Sequence, residues 1–526
     1  MVAMKREFNE TGICIPGRHF MVDMTSRMSY AMELIDAGKY FCINRPRQYG
    51  KTTLLSHLTK HIRQERQDDY LLARISFEGL GDSAFETEQA MSNAFLRQVQ
   101  DNLDFVYGDS AFPIHDNDRP IANFEMLSKH IARVVSRSDR RIVILIDEVD
   151  RAGNFDMFLR FLGTLRNMYL NAMDGNGMTF HSVILAGLHD VKSLKLKIRG
   201  GDEPRFNSPW NIAVNFDIDM SFNADEIAVM LRDYASDRGV EMDEDAIAAS
   251  IRDYTSGYPF LVSAMCKMVD EKFKRHDRWT VEDIDQAFLE LTRPTYSNTN
   301  FDDLAKTLQR DEDLYQLVHA VLFQNEVVRL SSKDPVESLA MQYGILAEST
   351  EGARVHNRIY EACIVDQMTS RMLRERRAFP NTLDGRYLAD HDRLDFRELL
   401  LGYQRFMKEH QSDKDRRFLE REGRLIFLAF LKPIINGHGH CFKEPVIGNE
   451  RRMDLVVTYY DQREVVELKV WRGQKYHEAG LKQLCAYLDH CSVNRGYLLI
   501  YDLGQDKSFR EETIEFEGKT IVAVWV

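Results

Sequence analysis

The sequence predicts an α/β chain, with a parallel sheet and helices on both sides of it toward the N-terminus, helices alone in the middle, and a second α/β domain toward the C-terminus. Three observations carry that prediction. An apolar run, Tyr40-Phe41-Cys42-Ile43, leads through Asn44-Arg45-Pro46-Arg47-Gln48-Tyr49-Gly50-Lys51-Thr52-Thr53 into Leu54, Leu55, Leu58 and Ile62 at helical spacing, so strand, loop and helix follow in that order. Ile142-Val143-Ile144-Leu145-Ile146 ends in Asp147-Glu148, as a strand buried on both faces does when its carboxyl end opens on a ligand crevice. Further on, 451–458 and 464–470 alternate apolar and polar residues as paired strands do.

The 526 residues are too many for a single hydrophobic core, and composition shifts divide them at 1–222, 223–295, 296–367, 368–414 and 415–526. With 44% apolar and 29% charged residues the composition is that of an ordinary soluble protein, and no apolar run approaches the ~18 residues of a membrane span. Met1 to Asn9 carries charge without a signal core, so a cytoplasmic protein is expected. The seven cysteines are scattered and odd in number, against a disulfide framework. A net charge of −13 argues against an extended nucleic-acid surface, and the basic run 371–377 has the look of a solvated helix face.

In the first loop, backbone N–H groups from Gln48 through Tyr49, Gly50 and Lys51 to Thr52 would cradle phosphate oxygens at the start of the helix. Lys51 would reach the β and γ phosphates, the Thr52 hydroxyl would bind Mg²⁺, and Thr53 would continue the first turn. The usual first glycine is Arg45, and Pro46 removes an amide, so the chain comes into this loop differently. Asp147 is placed to hold Mg²⁺ through water and Glu148 to polarise the water that attacks the γ-phosphate. The segment 71–76 is the expected neighbouring strand, and 86–105, 121–135 and 155–170 are expected helices over the sheet.

Ile13, Ile15 and Phe20, just upstream, would either wall a base or pack plainly. Ser182 to Gly187 is a second buried strand, followed by His189. Arg199 and Arg205 lie in a Gly-rich stretch and would serve as fingers on a neighbouring subunit's phosphate, which leaves a homo-oligomer open. From Asn223 the strand-helix alternation stops and four helices follow, with Gly257-Tyr258-Pro259 between two of them, where glycine ends one helix and proline starts the next.

Arg45 to Thr52, the Asp147-Glu148 strand and Gly257-Tyr258-Pro259 together resemble the AAA-like and STAND-type P-loop ATPases of bacteria and archaea, over about residues 10 to 365. The resemblance implies a P-loop NTPase fold that binds ATP and Mg²⁺. It also implies a helical lid whose Gly-x-Pro turn (Gly257, Pro259) bends over the nucleotide, a γ-phosphate-sensing role for His189, and a winged helix across 296–367. The highly charged 368–414 reads as a helical connector.

The last domain offers a second cluster. If Asp461-Gln462 is a two-residue turn, Asp454 lies opposite Lys469, and Glu467 shares their face while Leu455, Val457, Val466 and Leu468 take the other. Two carboxylates and an ammonium so placed can hold Mg²⁺ or Mn²⁺ and activate water on a phosphodiester. An exposed hairpin with a cross-strand ion pair gives the same pattern. The order of helix, three strands and helix resembles the PD-(D/E)XK, restriction-endonuclease-like nucleases fused to AAA-like ATPases. That resemblance assigns metal to Asp454 and Glu467, catalysis to Lys469, support to Gln483, and a helix acid to Glu420 or Glu422. It favours DNA over RNA as partner, with defence or mobile-element processing as the setting. A nucleotide-switched interaction protein with a non-catalytic nuclease fold is the rival reading.

Overall fold

The computed structural model describes residues 5–108, 120–149, 156–187, 210–272, 277–293, 295–296, 298–323, 328–350, 352–375, 387–390, 393–410, 416–435, 439–442, 455–460, 462–471, 473–490, 493–502 and 509–526. The chain divides into two compact units. The first comprises residues 1–252, 256–281 and 339–344, and the second 253–255, 282–338 and 345–526.

In the first unit the apolar runs become a five-stranded parallel sheet in the order Tyr70–Ser76, Arg141–Asp147, Ser182–Gly187, Phe41–Asn44, Val214–Asn215. Ile142 to Ile146 are buried, as a central parallel strand covered on both faces requires. The strand Ser182–Gly187 lies between the strand that feeds the phosphate loop and the strand that ends in Asp147. The chain therefore leaves the sheet at one edge for both motifs, with a strand's width between them. Helices Glu88–Tyr107, Phe124–Ser136 and Asp156–Met173 pack phenylalanines and leucines on one side, among them Phe95, Leu127, Phe161 and Leu165. Leu54, Leu55, Leu58 and Ile62 bury one face of Lys51–Glu65.

The helical part of this unit starts with a capping box at Asn223. Its side chain accepts from the Glu226 N–H at 2.8 Å, and Glu226 accepts from the Asn223 N–H at 2.9 Å. Ala224–Arg238, Glu244–Thr255 and Pro259–Lys272 follow. Phe20 packs against Phe8 and Tyr234, with ring centroids 5.1 Å apart in both cases, so it is a core residue and not a wall for a base.

In the second unit, Thr299–Arg310 and Glu312–Phe323 precede the hairpin Leu346–Ser349/Gly352–Val355, and helices Arg358–Glu375 and Phe396–His410 follow; the helix Pro335–Gln342 begins in this unit and ends in the segment 339–344 of the first. Thr299–Arg310 carries Asp302 and Asp303, yet Phe301, Leu304 and Leu308 are buried on one face. Helix Arg416–Ile435 leads into a six-stranded sheet in the order Gly439–Phe442, Leu455–Tyr459, Gln462–Val470, Arg495–Tyr501, Lys519–Trp525, Glu511–Phe516. The first three strands are antiparallel. Helix Gln474–His490 then crosses over to Arg495–Tyr501, which runs parallel to Gln462–Val470. Leu481, Leu484 and Leu488 of this helix cover Val465, Leu498 and Ile500. On the other face the Tyr501 hydroxyl donates to the Gly423 carbonyl at 2.6 Å, seating Arg416–Ile435.

Strand pairing sets Tyr459 opposite Gln462 and Leu455 opposite Val466. The strands therefore close one position earlier than the sequence suggests, and partners shift by two. A shift of two keeps every side chain on its expected face, so the division of the hairpin into two faces stands although the opposite pairs change. Asp454 lies outside the described residues. Among the described residues no helix is long and apolar enough to cross a membrane.

Candidate functional site

The phosphate loop is held by its own main chain. Gln48 (φ 54°) and Gly50 (φ 81°) both take the left-handed region, and Gly50 is the residue before the first turn of Lys51–Glu65. The turn aims the helix's first amides into the loop, where aligned peptide dipoles favour an anion. The Lys51 ammonium is buried and donates to the carbonyls of Arg45 (2.7 Å) and Pro46 (2.8 Å), at the loop's centre. The Thr53 hydroxyl accepts from the Cys14 N–H at 3.2 Å, so the upstream segment is tied to the start of the helix.

Arg45, in the place of the usual glycine, donates to the carbonyls of Asn44, Phe216 and Ile218, each at 2.8 Å. Burial lowers its pKa from the ordinary arginine value, and the nearby Asp219 and Asp217 work against that fall. A side chain that binds three carbonyls explains how the loop dispenses with glycine there.

Asp147 ends its strand almost buried. One carboxylate oxygen accepts from the Arg74 guanidinium at 3.0 Å and the other from the Glu148 N–H at 3.1 Å. Glu148 has φ 53°, a strained conformation for a residue with a Cβ, which turns the chain out of the sheet at the crevice. Thr52 and Asp147 are the residues that would hold Mg²⁺. Thr52 stands in the first turn after the left-handed Gly50, and Asp147 is a buried carboxylate at a strand end.

The Gly257-Tyr258-Pro259 turn meets the loop directly. The Tyr258 hydroxyl donates to the Arg47 carbonyl at 2.5 Å, and its ring stands edge-on to Tyr49 with centroids 4.6 Å apart. Gly257 has φ 70°, and a Cβ there would lie 2.0 Å from the Phe222 carbonyl oxygen, so glycine is required on both counts. Pro259 begins the helix Pro259–Lys272. Gly344, from the segment 339–344, also touches the loop, for a Cβ there would meet the Pro46 ring at 2.8 Å.

In the second unit Glu467 is fully buried, and its Oε1 lies 2.6 Å from the Lys469 ammonium, which keeps about a third of its side chain exposed (36%). Both share a face with Val465, beneath helix Gln474–His490, where Gly480 approaches the Lys469 stem. Glu467 is thus a buried carboxylate held beside a cation, and the cross-strand pairing of Lys469 with Asp454 falls outside the described residues. Among the described residues no three His, Cys, Asp or Glu side chains cluster as a metal site.

A sequence profile for an AAA-like domain matches residues 18–364, more than half of the chain. The chain belongs to the AAA-like domain family. The parallel sheet and phosphate loop of the first unit fit a P-loop NTPase-like α/β fold. A WD repeat-containing protein of Synechocystis sp. is 23% identical over 364 residues, 66% of this chain, and this chain spans 29% of that protein's length. Among solved structures, the Walker-type ATPase of Pyrococcus abyssi is similar at 13% identity and a TM-score of 0.44, over 68% of this chain and 99% of that one. The RuvB Holliday junction branch migration motor of Thermotoga maritima is similar at 17% identity and a TM-score of 0.33, over 64% and 92%.

Of the residues named from sequence, Gln48, Tyr49, Gly50, Lys51, Thr52 and Thr53 form the loop and the first turn after it, Gly257 and Pro259 flank the Tyr258 that touches this loop, and Asp147 ends the strand one removed in the sheet, with Glu148 just beyond it. His189, Arg199 and Arg205 lie outside the described residues. Glu420 falls in Arg416–Ile435 and Gln483 in Gln474–His490, with their side chains outside the description. Arg74, the Tyr258 hydroxyl and Gly344 went unnoticed in the sequence. For Arg74 the available signal was a lone arginine inside the apolar strand Tyr70–Ser76.

Proposed function

We propose that the chain is an ATP-binding switch of the AAA-like type that controls a metal-dependent nuclease in its C-terminal domain. Lys51, the loop amides, Thr52 and Asp147 hold ATP and Mg²⁺, and Glu148 polarises the attacking water. The observation that carries the nuclease half is the buried Glu467–Lys469 pair on the strand between an antiparallel meander and a helical crossover. A carboxylate and an ammonium two residues apart on one strand face are what hydrolysis of a phosphodiester needs from that strand. The carboxylate holds the metal and the amine orients water. Asp454 supplies the second carboxylate, Gln483 supports the site and Glu420 or Glu422 is the helix acid. A winged helix spans 296–367 and passes the nucleotide state onward. DNA is the favoured substrate, and Mn²⁺ can stand in for Mg²⁺.

The test is cleavage of mixed DNA and RNA with Mg²⁺ or Mn²⁺, with and without ATP, comparing the parent with Glu467→Ala and Lys51→Ala. Cleavage lost in Glu467→Ala supports the nuclease, and loss of its ATP dependence in Lys51→Ala supports the control. No cleavage by the parent while ATP still binds would overturn this reading in favour of a switch whose C-terminal domain only binds a partner.

A further inference from the structure

A cleft of about 330 Å³ lies beside Asp147 in the first unit, between the helix Lys51–Glu65 and the strand Tyr70–Ser76, lined by Lys60, Arg63, Arg74, Ser76, Asn102 and Asp147 among others. No residue of the phosphate loop from 45 to 51 lines it. Thr52, Ser56, Lys60 and Arg63 follow one another at helical i, i+4 and i+3 spacing, so the cleft runs down the helix away from the Mg²⁺ residue, Thr52. The eleven helical steps from Thr52 to Arg63 span roughly 16 Å of helix.

Three cations face this cleft and one carboxylate, Asp147, which is already paired with Arg74. Arg63 and Lys60 form no ion pair among the described residues. One Arg63 nitrogen donates to the Asn102 side-chain oxygen at 2.9 Å, and the Tyr107 hydroxyl is the other polar group facing it. The Arg63 Nε is buried and donates to nothing among the described residues. Burial lowers the Arg63 pKa, the Tyr107 hydroxyl works against that fall, and the Arg74 charge adds a smaller push downward. The Asn102 oxygen is locked in place, because it also accepts from the Arg74 backbone N–H at 3.0 Å. Two guanidiniums held side by side, one with a buried donor unused, form a receptor short of negative charge. Arginine forks match the oxygens of a phosphate group.

We propose that this cleft is a second anion site, which binds a phosphate dianion next to the nucleotide site and independently of the phosphate loop. The dianion is either inorganic phosphate or the phosphate of a small phosphomonoester, both offering the same oxygens to Lys60, Arg63 and Arg74. The site needs no ATP turnover to be tested.

Calorimetric titration of the full chain in phosphate-free buffer, without nucleotide, decides it, using inorganic phosphate and separately ribose 5-phosphate. One-site binding is expected for at least one of the two. It should persist in Lys51→Ala, weaken about tenfold in Arg63→Gln and several-fold in Lys60→Gln, and recover in part in Arg63→Lys. Lys60 is exposed, so its variant keeps the fold whatever Arg63→Gln does. Tighter binding of ribose 5-phosphate identifies a phosphomonoester, and binding of inorganic phosphate alone identifies the free ion. Absence of binding to either compound overturns the proposal. So does an affinity that both Arg63→Gln and Lys60→Gln leave unchanged, or one that vanishes in Lys51→Ala, which would place the anion in the loop.

Discussion

Arg74→Met should weaken the first unit when no nucleotide is present, and Mg²⁺ with ATP should return most of what is lost. The Arg74 guanidinium sits 3.0 Å from the Asp147 carboxylate, with the two side chains 21% and 8% exposed. Removing one partner of a buried pair costs about 3–5 kcal/mol, because the remaining charge keeps its desolvation cost and loses its compensation. Arg74 keeps a fifth of its side chain in water, so the expected loss is nearer ~2–3 kcal/mol. For a domain of this size that corresponds to roughly 5–10 °C in Tm. Mg²⁺ at Asp147 replaces the missing positive charge, so saturating Mg²⁺ and ATP should raise the Tm of the variant more than that of the parent. The assay is thermal unfolding of both proteins in four conditions: alone, with Mg²⁺, with ATP, and with both. Equal Tm values without nucleotide, or an equal gain on adding Mg²⁺ and ATP, would refute the assignment of Asp147 as a metal residue held in reserve by Arg74.

Gly257→Ala should cost the first unit about 1–2 kcal/mol for the left-handed backbone and a further ~1–3 kcal/mol to move the Phe222 carbonyl, read as a fall in urea midpoint. Tyr258→Phe removes the hydroxyl that tethers the Arg47 carbonyl, worth about 1 kcal/mol, and should raise the Kd of a fluorescent ATP analogue about fivefold. An unchanged Kd would count against the turn as part of the nucleotide site. His181 has its pKa lowered by burial, so the folded state binds fewer protons than the unfolded one as pH drops below about 6.5. Its contribution to stability is present above that pH and lost beneath it. His181→Asn should flatten the fall in urea midpoint between pH 7.5 and 5.5.

The helix and the strand at both ends of the candidate site could be read from the residues because chemistry and periodicity coincide there. Gly50-Lys51-Thr52 needs a helix start, and Leu54, Leu55, Leu58 and Ile62 supply one, while an unbroken apolar strand delivers Asp147 to the sheet edge. The strand between them, Ser182–Gly187, was legible as a strand, but its position in the sheet was not, since order depends on crossovers that leave no mark in local pattern. The hairpin register failed for a related reason. Neither Tyr460-Asp461 nor Asp461-Gln462 contains the glycine that usually fixes a two-residue turn, and Tyr460 takes the positive φ itself (49°). Thr299–Arg310 was masked by its charge, although Phe301, Leu304 and Leu308 keep helical spacing. Arg74 escaped because its importance lies in a partner 73 positions away.

The replacement of the first loop glycine by Arg45 has a mechanical consequence. A glycine would be a free hinge at the point where the loop leaves its strand. Arg45 is instead a rivet, driven through to the carbonyls of Phe216 and Ile218 on the chain that runs, within a few residues, into the capped start of Ala224–Arg238. Any displacement of the loop is therefore delivered to the root of the helical part without first being absorbed by slack. Swapping the rivet back to glycine would leave a loop still able to grip phosphate but with the linkage to that root cut.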